Sequence, residues 1–296
     1  MMATVIVHLV DGTYELFRQF FGRPGHETAD GREVGATRAV LRNMLAMLDD
    51  GATHLGVATD SVVESFRNEL YEGYKTGAEM DPLILAQFPW LEDGLRALGI
   101  ATFAMTVHEA DDAMAAAAVL AADDPRVDQV LICTPDKDLA QVVREGKIVQ
   151  FDRRKDKIYD VEGVIEKYGV RPESIPDWLG LVGDTADGFP GLPGWGAKSA
   201  ASVLFRYGHI EDIPLSAGQW DITVRSGAKL AQTLADNMAD ALLFKTLATL
   251  ALDAPTVDNV DEMRWVGPTE ALPAFAEFVD APDLVTKANK LAHARR

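Results

Sequence analysis

The sequence predicts an α/β protein built on a parallel sheet, followed by a smaller helical part. Three observations carry this. Short apolar runs at 4–10 (TVIVHLV), 55–58 (LGVA), 101–104 (ATFA) and 129–133 (QVLIC) have the near-continuous hydrophobicity of strands buried on both faces. Segments of helical periodicity separate them, with lengths that suit β-α-β crossovers. From about residue 160 onward the strand pattern gives way to short helical segments joined by glycine- and proline-rich turns.

Acids mark the ends of three of these strands. Asp11 closes VIVHLVD, Asp60 closes LGVATD, and Asp136 comes just after the 129–133 run, so all three acids fall at the carboxyl edge of the sheet, where ligands of such sheets sit. Helices are expected at about 36–49, 64–74, 83–98, 110–122 and 137–144. The fourth contains AMAAAAVLAA, a strong helix former with a small-residue packing face. GKIVQFDRRKDKIYD, residues 146–160, reads as a strand, a charged turn and a second strand. Helical segments come next at about 161–168, 176–182, 197–207, 228–235 and 238–249. A boundary near residue 160 therefore divides the chain into 1–160 and 161–296, and no motif stands out beyond about residue 250.

Composition narrows the function classes. At 296 residues and 48% hydrophobic, the chain can bury a full core. It has no basic leader with an apolar stretch behind it and no uncharged run of about 18 residues that could span a bilayer, so a soluble, cytoplasmic protein is expected. Cys133 is the single cysteine, which excludes an internal disulfide and a cysteine-built zinc site. The formal charge of −18 argues against a nucleic-acid ligand at first sight. Setting aside nine clustered acids leaves −9, and basic stretches remain at 67–75, 153–157, 198–206 and 287–296. Each of these is, taken singly, an ordinary solvated face.

The nine acids are Asp11, Asp60, Glu109, Asp111 and Asp112 in HEADD, Asp136 and Asp138 in CTPDKD, and Asp184 and Asp187 in GDTAD. Carboxylates about 4 Å apart repel by roughly 4 kcal/mol per pair at an effective dielectric near 20, so protons or divalent cations must neutralise such a cluster. Hard oxygen ligands suit magnesium or manganese, and paired ions suit phosphodiester cleavage. Helix capping explains one or two of the acids in HEADD, but three in four residues exceed what a cap needs. The D-K-D of 136–138 is by itself weak, because either acid could serve as an N-cap.

GDTADGFPGLPGWGAKSAASVL is the most specific segment. It offers a glycine-rich hairpin between two helices, with Gly191, Gly194 and Gly196 free to expose amides and Lys198 at the start of the second helix, an arrangement that binds phosphate without reading sequence. The alternative is a tight helix-helix turn. In SFRNELYEGYKTG, Arg67, Tyr71, Tyr74 and Lys75 fall on one helical face that could steer a phosphodiester and stack an unpaired base. The alternative there is a surface helix that packs its tyrosines on the core. Arg18, seven residues after Asp11, belongs with these cationic candidates.

Together the strings VDGTYELFR, SFRNELYEGYK, EADD, TPDKDLAQ and GDTADGFPGLPGWGAKSA resemble the 5′ nuclease family, in family order across residues 5 to about 210. That family includes the amino-terminal nuclease domain of bacterial DNA polymerase I, phage 5′ exonucleases and flap endonucleases. The resemblance implies a PIN-like nuclease core in 1–160. It also implies a helical DNA-binding domain in 161–296, with a helix-hairpin-helix motif of the helix-three-turn-helix kind at about 180–208. By residue matching, Asp60, Glu109, Asp111 and Asp136 would ligate a first ion, with Asp11 acting through water. Asp138, Asp184 and Asp187 would serve a second ion and Asp112 would assist. Arg18, Arg67 and Lys75 would contact the scissile phosphate region and 191–198 the duplex backbone, around a potassium ion, while the face reading above leaves Tyr71 and Tyr74 as DNA-binding candidates.

Two departures stand out. The stretch TGAEMDPLILAQFPWLEDG, after Lys75, has no basic residue where the family supplies another, which points to a more hydrophobic hold on a 5′ strand, with Phe88 and Trp90 as packing residues. ATD also replaces the usual aromatic-Asp pair at Asp60. The resulting expectation is a stand-alone, monomeric, magnesium- or manganese-dependent nuclease acting on flapped, nicked or branched DNA in replication and repair, alongside proteins of those processes. Two rivals are a binder of branched DNA with impaired cleavage and a PIN-type ribonuclease. The full acid set argues against the first, since a pure binder gains by shedding charges that repel phosphate. The attached hairpin argues against the second.

Overall fold

The computed structural model describes residues 5–295. Residue 4 of the expected first strand and Arg296 of the last basic stretch lie outside the described residues. In chain order the elements begin with β1 (Val5–Asp11), α1 (Gly12–Gly22), α2 (Gly35–Asp49), β2 (His54–Asp60) and α3 (Arg67–Leu70). They continue with α4 (Pro82–Leu85), α5 (Gln87–Ala97), β3 (Ala101–Met105), α6 (Ala110–Asp123) and β4 (Val127–Cys133). Next come β5 (Ile148–Asp152), β6 (Lys157–Tyr159), α7 (Val161–Tyr168), α8 (Ile175–Val182) and α9 (Ala197–Tyr207). The last are α10 (Gly227–Asp236), α11 (Met238–Ala248), α12 (Leu272–Phe278) and α13 (Asp283–Ala294).

Compactness does not divide the chain at one point near 160. One unit takes Met1–Val63, Thr76–Thr134 and Ala251–Arg296, and the other takes Glu64–Lys75 and Pro135–Leu250. The excursion at 64–75 belongs to the second unit because its end packs on a loop there: Lys75 N donates to Asp187 O at 3.0 Å. A β-carbon on Gly188 would lie 2.2 Å from Gly73 O, so only glycine admits this approach. The return of 251–296 has an equally concrete cause in the first unit, where Trp265 N donates to Thr53 O and the Trp265 indole to Leu98 O.

In the first unit β3, β2, β1 and β4 lie side by side in that order, all parallel. Val7, Leu9, Val10, Leu55 and Val57 are fully buried, as the two-sided cover of a parallel sheet requires. The alanines of α6 let it lie flat across the strands. Expected helix 83–98 is in fact α4 and α5, separated at Ala86. Phe88 is 2% exposed and so a core residue, while half-buried Trp90 packs against half-buried Phe278 with ring centroids 5.8 Å apart.

The end of the chain is tied down by charge as well. Arg42 of α2 grips Asp283 through Nε and Nη2 at 3.0 and 2.7 Å, and Lys287 adds a third bond at 3.2 Å. The Arg42 hydrogen bonds hold the Asp283 carboxyl well below the usual carboxylate range, against its partial burial. A depressed acid contributes stability above its unfolded pKa, near 4, and loses it as pH falls through the folded value. Asp283→Asn should therefore cost at most about 1 kcal/mol at neutral pH, the pair being partly exposed. The difference from wild type should shrink between roughly pH 4 and pH 2 in acid unfolding followed by circular dichroism.

In the second unit β5 and β6 form an antiparallel hairpin whose charged turn is held by buried Asp152, which accepts from Arg154 N and Lys155 N. Helices α8 and α11 pack closely because Gly180 has no side chain: a β-carbon there would lie 2.9 Å from Lys245 N. The expected helix at 64–74 shrinks to the four residues of α3, and the one at 137–144 is a 3-10 turn over Asp138–Val142.

Candidate metal centre

The first unit carries five of the nine acids at the carboxyl ends of its strands. Asp11 caps α1, accepting from Tyr14 N at 2.7 Å, while its other oxygen accepts from the Thr134 hydroxyl at 3.0 Å. Asp60, at the end of β2, accepts from Ala110 N at 2.8 Å, which fixes the start of α6 beside it. Glu109 precedes that helix and is buried, and Asp111 in its first turn is half-buried. Asp112 departs from its expected assisting role. It is fully buried and both its oxygens are spent on backbone, accepting from Glu109 N at 3.0 Å and Ala251 N at 2.8 Å.

The second unit gathers the rest. Asp184 opens a loop that closes on itself, with Asp184 N donating to Phe189 O at 2.8 Å and Gly188 N to Asp184 O at 2.9 Å. Phe189 pins that loop by stacking on Phe244 of α11 at 5.7 Å. Asp138 starts the 3-10 turn, its amide capped by Asp136 Oδ1 at 3.0 Å. These two local structures bring Asp138, Asp184 and Asp187 together, with one oxygen from each within 4.8 Å of the others.

The electrostatics fit a cation. Burial, then the charges of Asp136, Asp187 and Asp184, push the Asp138 carboxyl well above the usual range, with Lys137 opposing. Asp138 Oδ1 is buried and has no hydrogen-bond partner among the described residues. An orphaned buried oxygen facing two other carboxylates is costly unless a cation satisfies it, so the donor set suits a hard divalent ion. Two ammonium groups already lean in: Lys75 Nζ stands 2.9 Å from Asp187 Oδ1, and Lys137 pairs with Asp184. Burial alone would lower Lys137, yet the Asp184 hydrogen bond and the surrounding acids hold its pKa above normal.

The family model for the 5′-3′ exonuclease amino-terminal, resolvase-like domain matches residues 6–169, and that for the 5′-3′ exonuclease carboxy-terminal SAM fold matches 170–292. This chain belongs to the 5′-3′ exonuclease family. A 5′-3′ exonuclease of Aquifex aeolicus is 34% identical over 210 residues, covering 70% of this chain and 71% of that protein. DNA polymerase I of Bacillus caldotenax is 34% identical over 268 residues, 88% of this chain, and the chain spans only 29% of that polymerase's length. Among solved structures, a bacteriophage T5 flap endonuclease in complex with DNA and metal ions superposes with a TM-score of 0.65 at 22% identity, covering 96% of this chain and 99% of that one. The catalytic core of Rad2 in complex with DNA substrate gives 0.62 at 15% identity, covering 98% and 93%. At such identities these structures show a shared fold.

For this exonuclease-family chain, several expected contact residues lie elsewhere than matching implied. Arg67 is 2% exposed and donates to Leu247 O at 2.7 Å and Thr249 O at 2.9 Å, capping the end of α11. Tyr74 is buried in the helical core and Tyr71 packs edge-on against Phe244 at 5.7 Å, so the core-packing alternative describes this segment. Arg18 is partly exposed and pairs with buried Glu15. Gly191 is buried with φ +68, and a β-carbon there would sit 2.3 Å from Gly183 N, so it makes the tight turn and exposes no amide. Gly194 and Gly196 are exposed and, with exposed Lys198 and Arg225, line a cavity of about 680 Å³, but the Gly196 amide is not free to bind a ligand, since it donates to Ser199 Oγ at 3.1 Å. Sequence reasoning missed Lys137 altogether, although its place between two acids was a signal. Among the described residues no helix is long and apolar enough to cross a membrane.

Proposed function

We propose that this chain is a structure-specific 5′ nuclease that hydrolyses DNA phosphodiesters at 5′ flaps, nicks or ends. The observation that carries the reading is the Asp138, Asp184 and Asp187 cluster with its buried unpartnered oxygen, in a chain of the 5′-3′ exonuclease family. Those three acids would hold one divalent ion, and Asp60, Glu109 and Asp111 would offer oxygens for another, with Asp11 acting through water. Magnesium or manganese, once bound, supplies an activated water and offsets charge on the phosphate. The protein's own part is to orient: the Asp184 loop and the Asp136-capped turn fix the carboxylates, and no side-chain nucleophile is needed. Lys198, with the exposed turn at Gly194 and Gly196, would grip duplex backbone, and a potassium ion belongs to the same proposal. The reading carries with it flapped, nicked or branched DNA as substrate, replication or repair proteins as partners, and a cytoplasmic monomer.

The test is product length on a 5′-labelled flap duplex with magnesium or manganese, beside an EDTA control and Asp136→Asn. Metal-dependent release near the junction, lost in the variant, is the expected result. Tight binding without cleavage in either metal would favour a branched-DNA binder instead, and preferential cutting of single-stranded RNA would favour a ribonuclease.

A further inference from the structure

The acid cluster of the second unit comes with cations of its own. Lys75 Nζ lies 2.9 Å from Asp187, and the Lys137 ammonium pairs with Asp184, while Asp138 keeps a buried oxygen without a partner. Two of the cluster's three carboxylates are each met by an ammonium group, and the third, Asp138, carries the orphaned oxygen. An ion that draws an oxygen from each of the three acids must therefore compete with a lysine for its ligand.

We propose that Lys75 and Lys137 are resident counter-cations of this cluster, and that a divalent ion displaces Lys75 from Asp187 while Lys137 stays. The proposal rests on the metal-binding reading above. Lys75 is the one placed to leave. Its backbone stays anchored, since its amide donates to Asp187 O at 3.0 Å and its carbonyl accepts from Asn68 Nδ2 at 3.0 Å, so the side chain alone can swing out. The Lys137 backbone is anchored as well, its carbonyl accepting from Ala140 N at 3.1 Å, but its ammonium is held by Asp184 with Asp138 and Asp136 close by, so leaving costs it more. A released Lys75 ammonium would stand beside a newly bound ion, free to meet a phosphate oxygen. Lys75 then acts as a positioning residue whose availability depends on the metal, and by linkage metal and phosphate ligand should each strengthen the other only while Lys75 is present.

Two readouts other than cleavage test this on the full, metal-stripped chain: calorimetric titration with Mn²⁺, and thermal unfolding in EDTA and in saturating Mn²⁺. Asp138→Asn identifies which Mn²⁺ binding step belongs to the cluster. Lys75→Met should tighten that step by about three- to tenfold, since a tethered competitor is gone. Its unfolding midpoint should drop in EDTA and recover in Mn²⁺. Lys137→Met should lower the midpoint in both conditions, and Lys75→Arg should behave as wild type. Unchanged or weaker Mn²⁺ binding in Lys75→Met, or a deficit that Mn²⁺ does not repair, overturns the exchange. A Lys137→Met deficit that Mn²⁺ does repair overturns the separate role given to Lys137. No Mn²⁺ uptake by the wild type overturns this proposal and the metal reading together, whereas uptake without a lysine effect overturns the exchange alone.

Discussion

Asp138→Asn is expected to cut metal-dependent cleavage by about a thousandfold or more, while raising the stability of the metal-free chain. The two effects have one cause. Asp138 is 7% exposed, one of its oxygens has no partner, and Asp184 and Asp187 offer oxygens within 4.8 Å, so without an ion the folded chain carries an uncompensated buried charge. Asparagine keeps the shape and the amide cap of the turn but removes that charge, a gain of roughly 1–2 kcal/mol, or a few degrees in midpoint for a chain of this size. The same change removes one of the three carboxylate ligands, and a neutral amide oxygen neither matches its affinity nor offsets the ion's charge. Scanning calorimetry in EDTA and with saturating magnesium, beside the flap assay, reads both. A midpoint that falls in EDTA would mean that the carboxylate serves packing or capping, and the metal role would have to go.

How legible this was in the sequence depended on how local each feature is. Strand ends at Asp11 and Asp60 and the alanine helix α6 arise from short-range pattern, and the structure has them within a residue or two of where the pattern puts them. What failed was any inference that needed to know which way a face points. Arg67, Tyr71, Tyr74 and Lys75 do recur at helical spacing, but apolar periodicity is equally satisfied by a protein core, and Phe244 supplies that core to Tyr71 from 173 residues away. Asp112 illustrates the same limit within HEADD. Its acid type suits a metal, yet one of its partners is Ala251 N, 139 residues further along the chain. At Gly191 the spacing was right and the role was not: glycine is demanded there by contact with Gly183, and the Gly196 amide is spent on Ser199 Oγ at 3.1 Å.

Arg67→Met should destabilise the chain by about 3 kcal/mol, because it strands two carbonyls at the end of a helix in the interior. Arg67 Nε and Nη2 reach Leu247 O and Thr249 O, where α11 ends, and its guanidinium also lies over the Phe66 ring at 4.6 Å. A positive charge at a helix C-terminus is favourable in its own right, and one planar fork serving two acceptors is a task for arginine rather than lysine. Arg67→Lys should therefore rescue only part of the loss, since a single ammonium cannot span both carbonyls with the same geometry. The competing expectation from family matching, a contact with the scissile phosphate, predicts the reverse pattern: cleavage lost, the unfolding midpoint kept, and flap affinity less sensitive to salt by about one counterion. Urea unfolding of the two variants beside a salt series of flap binding separates these outcomes. With Arg67 2% exposed and its guanidinium already bonded to carbonyls, the energy of Arg67 goes into joining the 64–75 segment to α11. Lys75, in that same segment, depends on that joint for its place beside Asp187. Loss of cleavage in Arg67→Met should accordingly track loss of stability, and return when the variant is assayed at a temperature where it is folded.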